Sequence, residues 1–238
     1  MKNKIAISIS GEILQEIDKI IDGTSVRSRS QAIEILIKKG LGENVVDMAV
    51  LLYSKEHEKI AGTKFKESTV LEKQIDFLRK NGINKIYVLT QGTIEINSAE
   101  ILKTKEKNNG DALRDLKSAP KDSFVVMSGD TFNNFDLHAM INKHLKSGKL
   151  ATIGLMSSPV PVKYGNAILE GDLVMAFSEK PKIPTSHIVN SGIYIFKQET
   201  LAMMKGSIER NVLPELAKKR ELIGYFTMGE YIHFGEKN

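Results

Sequence analysis

Residues 124–130 read Phe-Val-Val-Met-Ser-Gly-Asp, an apolar run of strand length that ends in a polar turn containing glycine. Consecutive apolar residues of this length predict a strand that is buried on both faces. Comparable strand patterns lie at 46–52, 85–89, 150–155, 173–177 and 192–196. Helical patterns separate them, at 70–80, 111–117, 137–146 and 212–219. This alternation predicts a Rossmann-like α/β domain with a mostly parallel mixed sheet.

The first forty residues follow a different pattern. Residues 4–10 alternate polar and apolar side chains with period two, which predicts a half-buried strand. Apolar residues then recur at helical spacing from Ile13 to Ile21, and Ser28-Arg29-Ser30 begins a second helix that Gly40 ends. The change of pattern divides the chain into a module of residues 1–42 and a domain of residues 46–238.

Composition limits the classes of protein to which the chain can belong. Its 238 residues include 41% hydrophobic ones, enough for a packed core, and its net charge of +5 permits an acidic partner without requiring one. The absence of cysteine excludes disulfides and thiolate metal sites. Neither a membrane-spanning apolar run nor a signal peptide is evident, so we expect a cytoplasmic protein with no membrane partner.

The strand–helix–helix order of the N-terminal module resembles the ribbon-helix-helix repressors, the group that contains Arc and MetJ. The resemblance implies a β-α-α homodimer that lays a two-stranded ribbon in the major groove of double-stranded DNA. With Ile5, Ile7 and Ile9 facing inward, the alternate residues face the bases, and the start of the second helix faces a phosphate. The predicted DNA-binding residues are Lys4, Ala6, Ser8, Arg27, Ser28, Arg29 and Ser30. A dimerisation clasp that never touches DNA is the alternative.

Six motifs in the larger domain occur in an order that resembles a second family. They are Thr-Val-Leu-Glu-Lys-Gln-Ile at 69–75, Ser-Gly-Asp at 128–130, Tyr-Gly at 164–165, Phe-Ser-Glu-Lys-Pro at 177–181, Asn-Ser-Gly-Ile-Tyr at 190–194 and Asn-Val-Leu-Pro at 211–214. The set is similar to that of the nucleotide-sugar pyrophosphorylases, nucleotidyltransferases of GT-A type that join sugar phosphates to nucleoside triphosphates. The resemblance implies a ligand pocket formed by Asp130, Glu179, Lys180, Asn190 and Gly192.

Three departures from that family put catalysis in doubt. The glycine-rich phosphate loop after the first strand is replaced by Tyr-Ser-Lys-Glu-His-Glu-Lys-Ile at 53–60, whose two glutamates should repel a triphosphate. His233 occupies the position of a second metal-binding carboxylate, and imidazole is a poor ligand for Mg²⁺. Asp130 is then expected to be a turn or capping residue. Only Ala112-Leu113-Arg114 matches the base-contacting segment. We therefore expect no metal, no cofactor and no catalytic residues.

These patterns favour a dimeric DNA-binding transcriptional regulator with a catalytically degenerate nucleotidyltransferase-like domain. That domain would sense a nucleotide sugar or sugar phosphate, or would join dimers into larger oligomers. The first alternative is a divergent sugar-phosphate nucleotidyltransferase that uses its N-terminal segment only as a dimer clasp. The second is an architectural DNA-binding protein without a ligand. The sequence leaves open whether the retained pocket motifs bind a sugar or are present because the backbone turns require these residues.

Overall fold

The computed structural model describes residues 5–23, 26–40, 46–116 and 120–235. The chain divides into two compact units, Met1–Asn44 and Val45–Asn238. No helix within the described ranges is long and apolar enough to cross a membrane.

The N-terminal unit contains two helices, α1 (Gly11–Asp18) and α2 (Arg29–Gly40). Each begins after a serine whose hydroxyl accepts a backbone N–H bond: Ser10 from Ile13 at 3.4 Å and Ser28 from Gln31 at 3.2 Å. This confirms the two predicted helices and the capping position of Ser28. The core of the unit is small and consists of Ile17, Val26 and Ala32, with Ile9, Ile20, Ile21, Ile33 and Ile35 packed around it.

The predicted N-terminal strand is not formed by residues 5–10, the described part of that segment. A strand needs a partner for its backbone groups, and within one chain this segment pairs with no other strand of the described residues. Ile5 and Ile7, expected to face inward, are 76% and 54% exposed, and of the three isoleucines Ile9 alone packs on the core. Ala6 and Ser8 belong to the same irregular segment, and Lys4 lies outside the described residues.

The predicted phosphate-binding residues have contacts within the unit. The Arg29 guanidinium binds the Asp18 carboxylate through two hydrogen bonds of 2.7 and 2.8 Å. The Arg27 backbone N–H donates to Gln31, and Ser30 lies inside α2. Arg29 is thus paired with a carboxylate of its own unit at an exposed position.

The second unit is built on a nine-stranded sheet and two short two-stranded pairs. Its strands are β1 (Met48–Tyr53), β2 (Lys64–Phe65), β3 (Ser68–Thr69), β4 (Lys85–Thr90), β5 (Glu100–Lys103), β6 (Ser123–Ser128), β7 (Thr131–Asn134), β8 (Ala151–Ser157), β9 (Gly165–Glu170), β10 (Leu173–Glu179), β11 (Ile188–Lys197), β12 (Leu222–Phe226) and β13 (Glu230–His233). The main sheet has the order β5-β4-β1-β6-β11-β8-β12-β10-β9, and β2 pairs with β3 and β7 with β13.

Helices cover both faces of this sheet. They are α3 (Glu58–Ala61), α4 (Val70–Lys80), α5 (Asn109–Arg114), α6 (Leu137–Ser147) and α7 (Leu213–Lys218). A 3₁₀ turn at Lys55–His57 precedes α3, and a π-helical turn at Ile208–Val212 precedes α7. Helix α4 begins with a capping box in which Thr69 and Glu72 bond each other's backbone N–H groups, and its bounds agree with the prediction.

Two hydrophobic cores lie on opposite faces of the sheet because side chains alternate along each strand. In β1, Met48, Val50 and Leu52 face the core that includes α5 and α7. Ala49, Leu51 and Tyr53 face the core that includes α4 and α6. Every residue of β1 is buried, as expected for a central strand covered on both faces.

The sheet is mixed to a greater degree than the sequence indicates. Strands β5, β4, β1 and β6 run parallel to one another, as predicted. The long strand β11 is antiparallel to both of its neighbours, β6 and β8, and β10 is antiparallel to β9 and β12. Apolar runs indicate where strands lie, but their direction depends on which strands become neighbours. The expectation of a mostly parallel sheet therefore holds for the half that contains β5, β4, β1 and β6; the other half is mostly antiparallel, although β12 runs parallel to β8.

A buried histidine on α6 gives the fold a dependence on pH. His144 contacts the hydroxyls of Thr152 at 2.8 Å and Ser123 at 3.2 Å, and burial lowers its pKa from 6.5 to about 4. The unfolded chain binds this proton more readily, so the free energy of unfolding should fall by about 3 kcal/mol as the pH drops from 6.5 towards 4. Urea unfolding at a series of pH values measures the effect.

The matched variants are His144→Gln and His138→Gln. The first removes the titrating group and should flatten the pH dependence of the unfolding free energy between pH 6.5 and 4. The second removes a half-buried histidine of the same helix and is the control for the loss of an imidazole. Equal slopes for all three proteins would show that His144 is not the responsible group.

Candidate functional site

The site lies where β1 and β6 end side by side. The Gly129 N–H donates to the Leu52 carbonyl at 2.8 Å and so closes the turn after β6 onto the end of β1. A Cβ on Gly129 would lie 2.7 Å from that same carbonyl oxygen. Glycine is thus required by close backbone approach, and the turn places the next residue, Asp130, at the edge of the sheet.

A buried amide on α4 holds this turn. Gln74 is fully buried; its Nε2 donates to the carbonyls of Ser128 at 2.9 Å and Thr131 at 2.6 Å, and its Oε1 accepts from the Tyr53 hydroxyl at 2.7 Å. Burial, with a contribution from the charge of Asp130, raises the pKa of Tyr53, so its hydroxyl remains a donor. One side chain therefore connects β1, α4 and both ends of the Asp130 turn.

A cavity of about 270 Å³ opens above this turn. All five predicted pocket residues, Asp130, Glu179, Lys180, Asn190 and Gly192, line it, so the structure brings together segments that are far apart in sequence. Other lining residues with polar or aromatic side chains are Ser54, His57, Asn109, Ser128, Thr131, Lys163, Tyr164, Tyr194, Glu209, Tyr231 and His233.

Two residues at the cavity have left-handed backbone conformations. Gly192 has φ +76°, and a Cβ there would lie 2.9 Å from the Thr131 hydroxyl. Lys180 has φ +44°, which is strained for a residue with a side chain. The strain at Lys180 is compensated in part by its backbone N–H, which donates to the Tyr164 carbonyl at 3.2 Å. Glu179 and Lys180 consequently both reach the cavity although they are adjacent in sequence.

A carboxylate on the π-helical turn connects the two sides of the cavity. Glu209 accepts hydrogen bonds from Tyr194 at 3.0 Å, Ser207 at 2.9 Å and Asn109, whose amide lies 3.0 and 3.2 Å from its two oxygens. Asn190 in turn donates to the Tyr194 hydroxyl at 2.6 Å. Burial and the charge of Glu209 raise the pKa of Tyr194 well above its usual value.

The charges around Glu179 oppose one another. Burial raises the pKa of Glu179, as does the nearby charge of Glu209, while Lys180 and Arg210 act in the opposite direction. Carboxylates accept hydrogen bonds from hydroxyl groups, and cations bind phosphate. The two carboxylates and two cations near this cavity therefore suit a ligand that has both hydroxyl groups and a negative charge.

Two imidazoles flank Asp130. The Nε2 atoms of His57 and His233 lie 3.4 and 3.5 Å from the same oxygen, Asp130 Oδ2. His57 comes from the turn after β1 and His233 from the end of β13, where the Phe234 N–H donates to the Asp130 carbonyl at 2.8 Å. The expectation of a turn residue is correct for the backbone of Asp130, but its carboxylate also lines the cavity.

The donors around Asp130 do not fit a hard divalent cation such as Mg²⁺, which takes oxygen ligands. The Gly235 N–H donates to His233 Nδ1 at 3.1 Å, which favours the tautomer that carries its proton on Nε2. In this tautomer the nitrogen nearest Asp130 has no lone pair for a metal. Across the described part of the chain, no three His, Asp or Glu side chains are grouped so that they could hold a metal ion.

The segment after β1 is less acidic at the cavity than its sequence suggests. Ser54 and His57 line the cavity, whereas its described lining includes neither Glu56 nor Glu58. The Glu58 carboxylate instead lies against Gly92, in the place that a Cβ would occupy. A smaller adjoining cavity of about 70 Å³ shares Leu52, Ser54 and Asn109 with the first and extends towards Gln91 and Thr104. It lies on the β1–β4–β5 side of the site.

Sequence reasoning missed several of these residues. His57 lies in the segment predicted only to repel phosphate, and Glu209 and Asn109 each lie outside the motifs. Glu209 stands two residues before Asn211-Val212-Leu213-Pro214, and an acidic residue at the start of a motif-bearing helix was the available signal.

Comparison with known proteins agrees with this architecture. The family described as "Nucleotidyl transferase" matches residues 33–223. The mannose-1-phosphate guanylyltransferase catalytic subunit beta of Xenopus tropicalis is 26% identical over 195 residues, covering 72% of this chain and 54% of the relative. The corresponding Drosophila melanogaster subunit is 30% identical over 125 residues, covering 51% of this chain and 34% of the relative. The chain thus spans about half or less of the length of these curated relatives.

Solved structures show the same fold. HddC from Yersinia pseudotuberculosis superposes with a TM-score of 0.64 at 18% identity, covering 80% of this chain and 94% of that one. At this identity the likeness concerns the fold alone.

These findings correct the predicted function. The family match begins at residue 33, inside the second helix of the predicted DNA-binding module, and the relatives are guanylyltransferases. The interpretation as a ribbon-helix-helix transcriptional regulator that binds double-stranded DNA through residues 4–8 and 27–30 was wrong, since helix capping and period-two alternation are common features of many folds. The family match covers most of the chain, and the chain belongs to the nucleotidyl transferase family.

Proposed function

We propose that the chain is a divergent sugar-phosphate nucleotidyltransferase that binds a sugar phosphate and a nucleoside triphosphate in the two adjoining cavities. The observation that carries the proposal is the convergence of Asp130, Glu179, Lys180, Asn190 and Gly192 on one cavity at the carboxyl ends of parallel strands. In α/β sheets, ligands bind at this edge. The relatives are named mannose-1-phosphate guanylyltransferases, and this substrate class supports the proposal.

The reaction would be a nucleotidyl transfer. A phosphate oxygen of the sugar phosphate attacks the α-phosphorus of the triphosphate, and the bond from that phosphorus to the bridging oxygen breaks and releases pyrophosphate. Cations that face the phosphates stabilise the charge that develops in the transition state. Lys163 and Lys180 line the larger cavity, and Arg210 lies beside Glu179. Positively charged side chains therefore lie near Glu179, where we place the sugar phosphate. The carboxylates of Glu179 and Glu209 suit sugar hydroxyls.

The first prediction concerns turnover. With hexose 1-phosphates and the common nucleoside triphosphates, the full chain should release pyrophosphate, and Lys180→Met should lower kcat/KM by about ten-fold or more because a charge-assisted contact is lost. Lys80→Met at the far end of α4 removes an exposed lysine and should have no effect. A coupled pyrophosphate assay measures both variants.

Absence of pyrophosphate release in every substrate combination would contradict the proposed transfer. A thermal shift with a nucleotide sugar would then distinguish a domain that binds without turnover from one that does not bind. Binding alone would agree with the loss of the glycine-rich loop after β1, where no glycine occurs between Tyr53 and Gly62.

We also propose that the N-terminal unit acts as a clasp between two copies of this chain. Its described part buries few apolar side chains and leaves five large ones exposed: Ile5, Ile7, Ile13, Leu36 and Ile37. A unit of this size rarely buries enough apolar surface alone, and association with a second copy would cover these side chains.

The corresponding prediction concerns oligomeric state. The native chain should be a dimer by light scattering, and Ile7→Lys should shift it towards monomer because a charge would enter the apolar contact. Ile183→Lys changes an exposed isoleucine of the other unit, 83% exposed against 54% for Ile7, and should leave the dimer intact. A monomeric native chain, or a dimer that Ile7→Lys does not weaken, would contradict the clasp.

A further inference from the structure

We infer that His57 and His233 donate hydrogen bonds to the phosphate of the bound ligand, and that they replace the divalent cation there, so that phosphate binding needs no metal. The inference rests on the proposed function, because it names how the same cavity holds its phosphate. It also adds His57 and His233 to the binding residues that the family motifs indicated.

The first observation is the spacing of the imidazoles. Both Nε2 atoms approach Asp130 Oδ2 only to 3.4 and 3.5 Å, longer than the usual 2.7–3.2 Å of an N–H···O bond. The Nε2 atoms therefore lie beside Asp130 without a close hydrogen bond to it, and each can bind another partner. The side chains remain 31% and 23% exposed and line the cavity, so an entering ligand can reach them.

The second observation is the hydrogen bond from the Gly235 N–H to His233 Nδ1, at 3.1 Å. Because Nδ1 accepts this bond, the neutral ring is favoured in the tautomer that carries its proton on Nε2, which faces Asp130 and the cavity. A metal would need a lone pair at that nitrogen, whereas a phosphate oxygen needs the proton that is present. The ring is thus arranged as a donor to an anion and not as a ligand to a cation.

The third observation is the distribution of charge. Asp130 is the described lining carboxylate on the β1–β6 side, and Glu179 and Glu209 lie on the opposite side with Lys180. A second carboxylate at position 233 would create a cation site with Asp130, but the imidazole there removes that negative charge. His233 and His57 thus provide hydrogen-bond donors for a phosphate on the β1–β6 side of the cavity, where a carboxylate pair would bind a cation.

Calorimetric titration of the full chain tests the inference, with GDP-mannose and mannose 1-phosphate as probes. The native protein should bind at least one probe with the same affinity in EDTA as in Mg²⁺. His57→Gln and His233→Gln should each weaken metal-free binding by about ten-fold or more, as expected for loss of a hydrogen bond to a charged group. His138→Gln, on α6 and not part of the described cavity lining, is the control and should bind as the native protein does.

Two further variants separate binding from a structural role. Asp130→Asn should keep or increase metal-free affinity, because it removes a negative charge near the phosphate; in a metal site it would abolish binding. His233→Asp supplies a second carboxylate and should weaken binding in EDTA but recover it on addition of Mg²⁺. If His233 had only a structural role, its replacement by aspartate would not make binding dependent on Mg²⁺.

Each remaining outcome overturns the inference. Native binding that disappears in EDTA would show a metal-dependent site and leave the proposed function standing. Metal-free binding unchanged in both glutamine variants would show that the histidines do not contact the phosphate. Failure of both probes to bind in either condition would overturn this inference and count against the proposed function as well, which the pyrophosphate assay tests independently.

Discussion

The arrangement of the site depends on the buried amide of Gln74. A primary amide without partners would be costly in the interior, and here Tyr53 and the carbonyls of Ser128 and Thr131 satisfy it. Both carbonyls belong to the turn that carries Asp130, so the amide holds this turn against α4. The turn also rests on β1 through the Gly129 N–H. Loss of this amide would release the turn from the helix, and with it the position of Asp130 between two imidazoles.

A second network holds the opposite wall of the cavity. Glu209 receives hydrogen bonds from Asn109, Tyr194 and Ser207, which lie on three different elements. These hydrogen bonds fix the position of the carboxylate at the cavity. The cavity-lining residues Glu179 and Asn190 lie beside this network, so this wall of the cavity is built on β10, β11 and the turn before α7.

The charge of the cavity differs from what a glycine-rich phosphate loop would provide. Backbone N–H groups of such a loop are replaced after β1 by the side chains of Ser54 and His57, and the two nearby glutamates are absent from the described cavity lining. The imidazoles of His57 and His233 lie beside Asp130, where a second carboxylate would add negative charge. The family fold is retained, while the segment after β1 differs from a glycine-rich loop.

By itself, the sequence determined the α/β class, the position of α4, the buried strands β1, β4 and β6 and the set of pocket motifs, because these depend on local periodicity, capping and ordered short segments. It also suggested a DNA-binding module, because local patterns at the N-terminus do not specify a partner strand. Only the tertiary structure decided the antiparallel direction of β11, the meeting of His57 with Asp130 and His233, and the network around Glu209. These features join residues that are far apart along the chain, and their proximity follows from strand order in the sheet, which no local pattern contains.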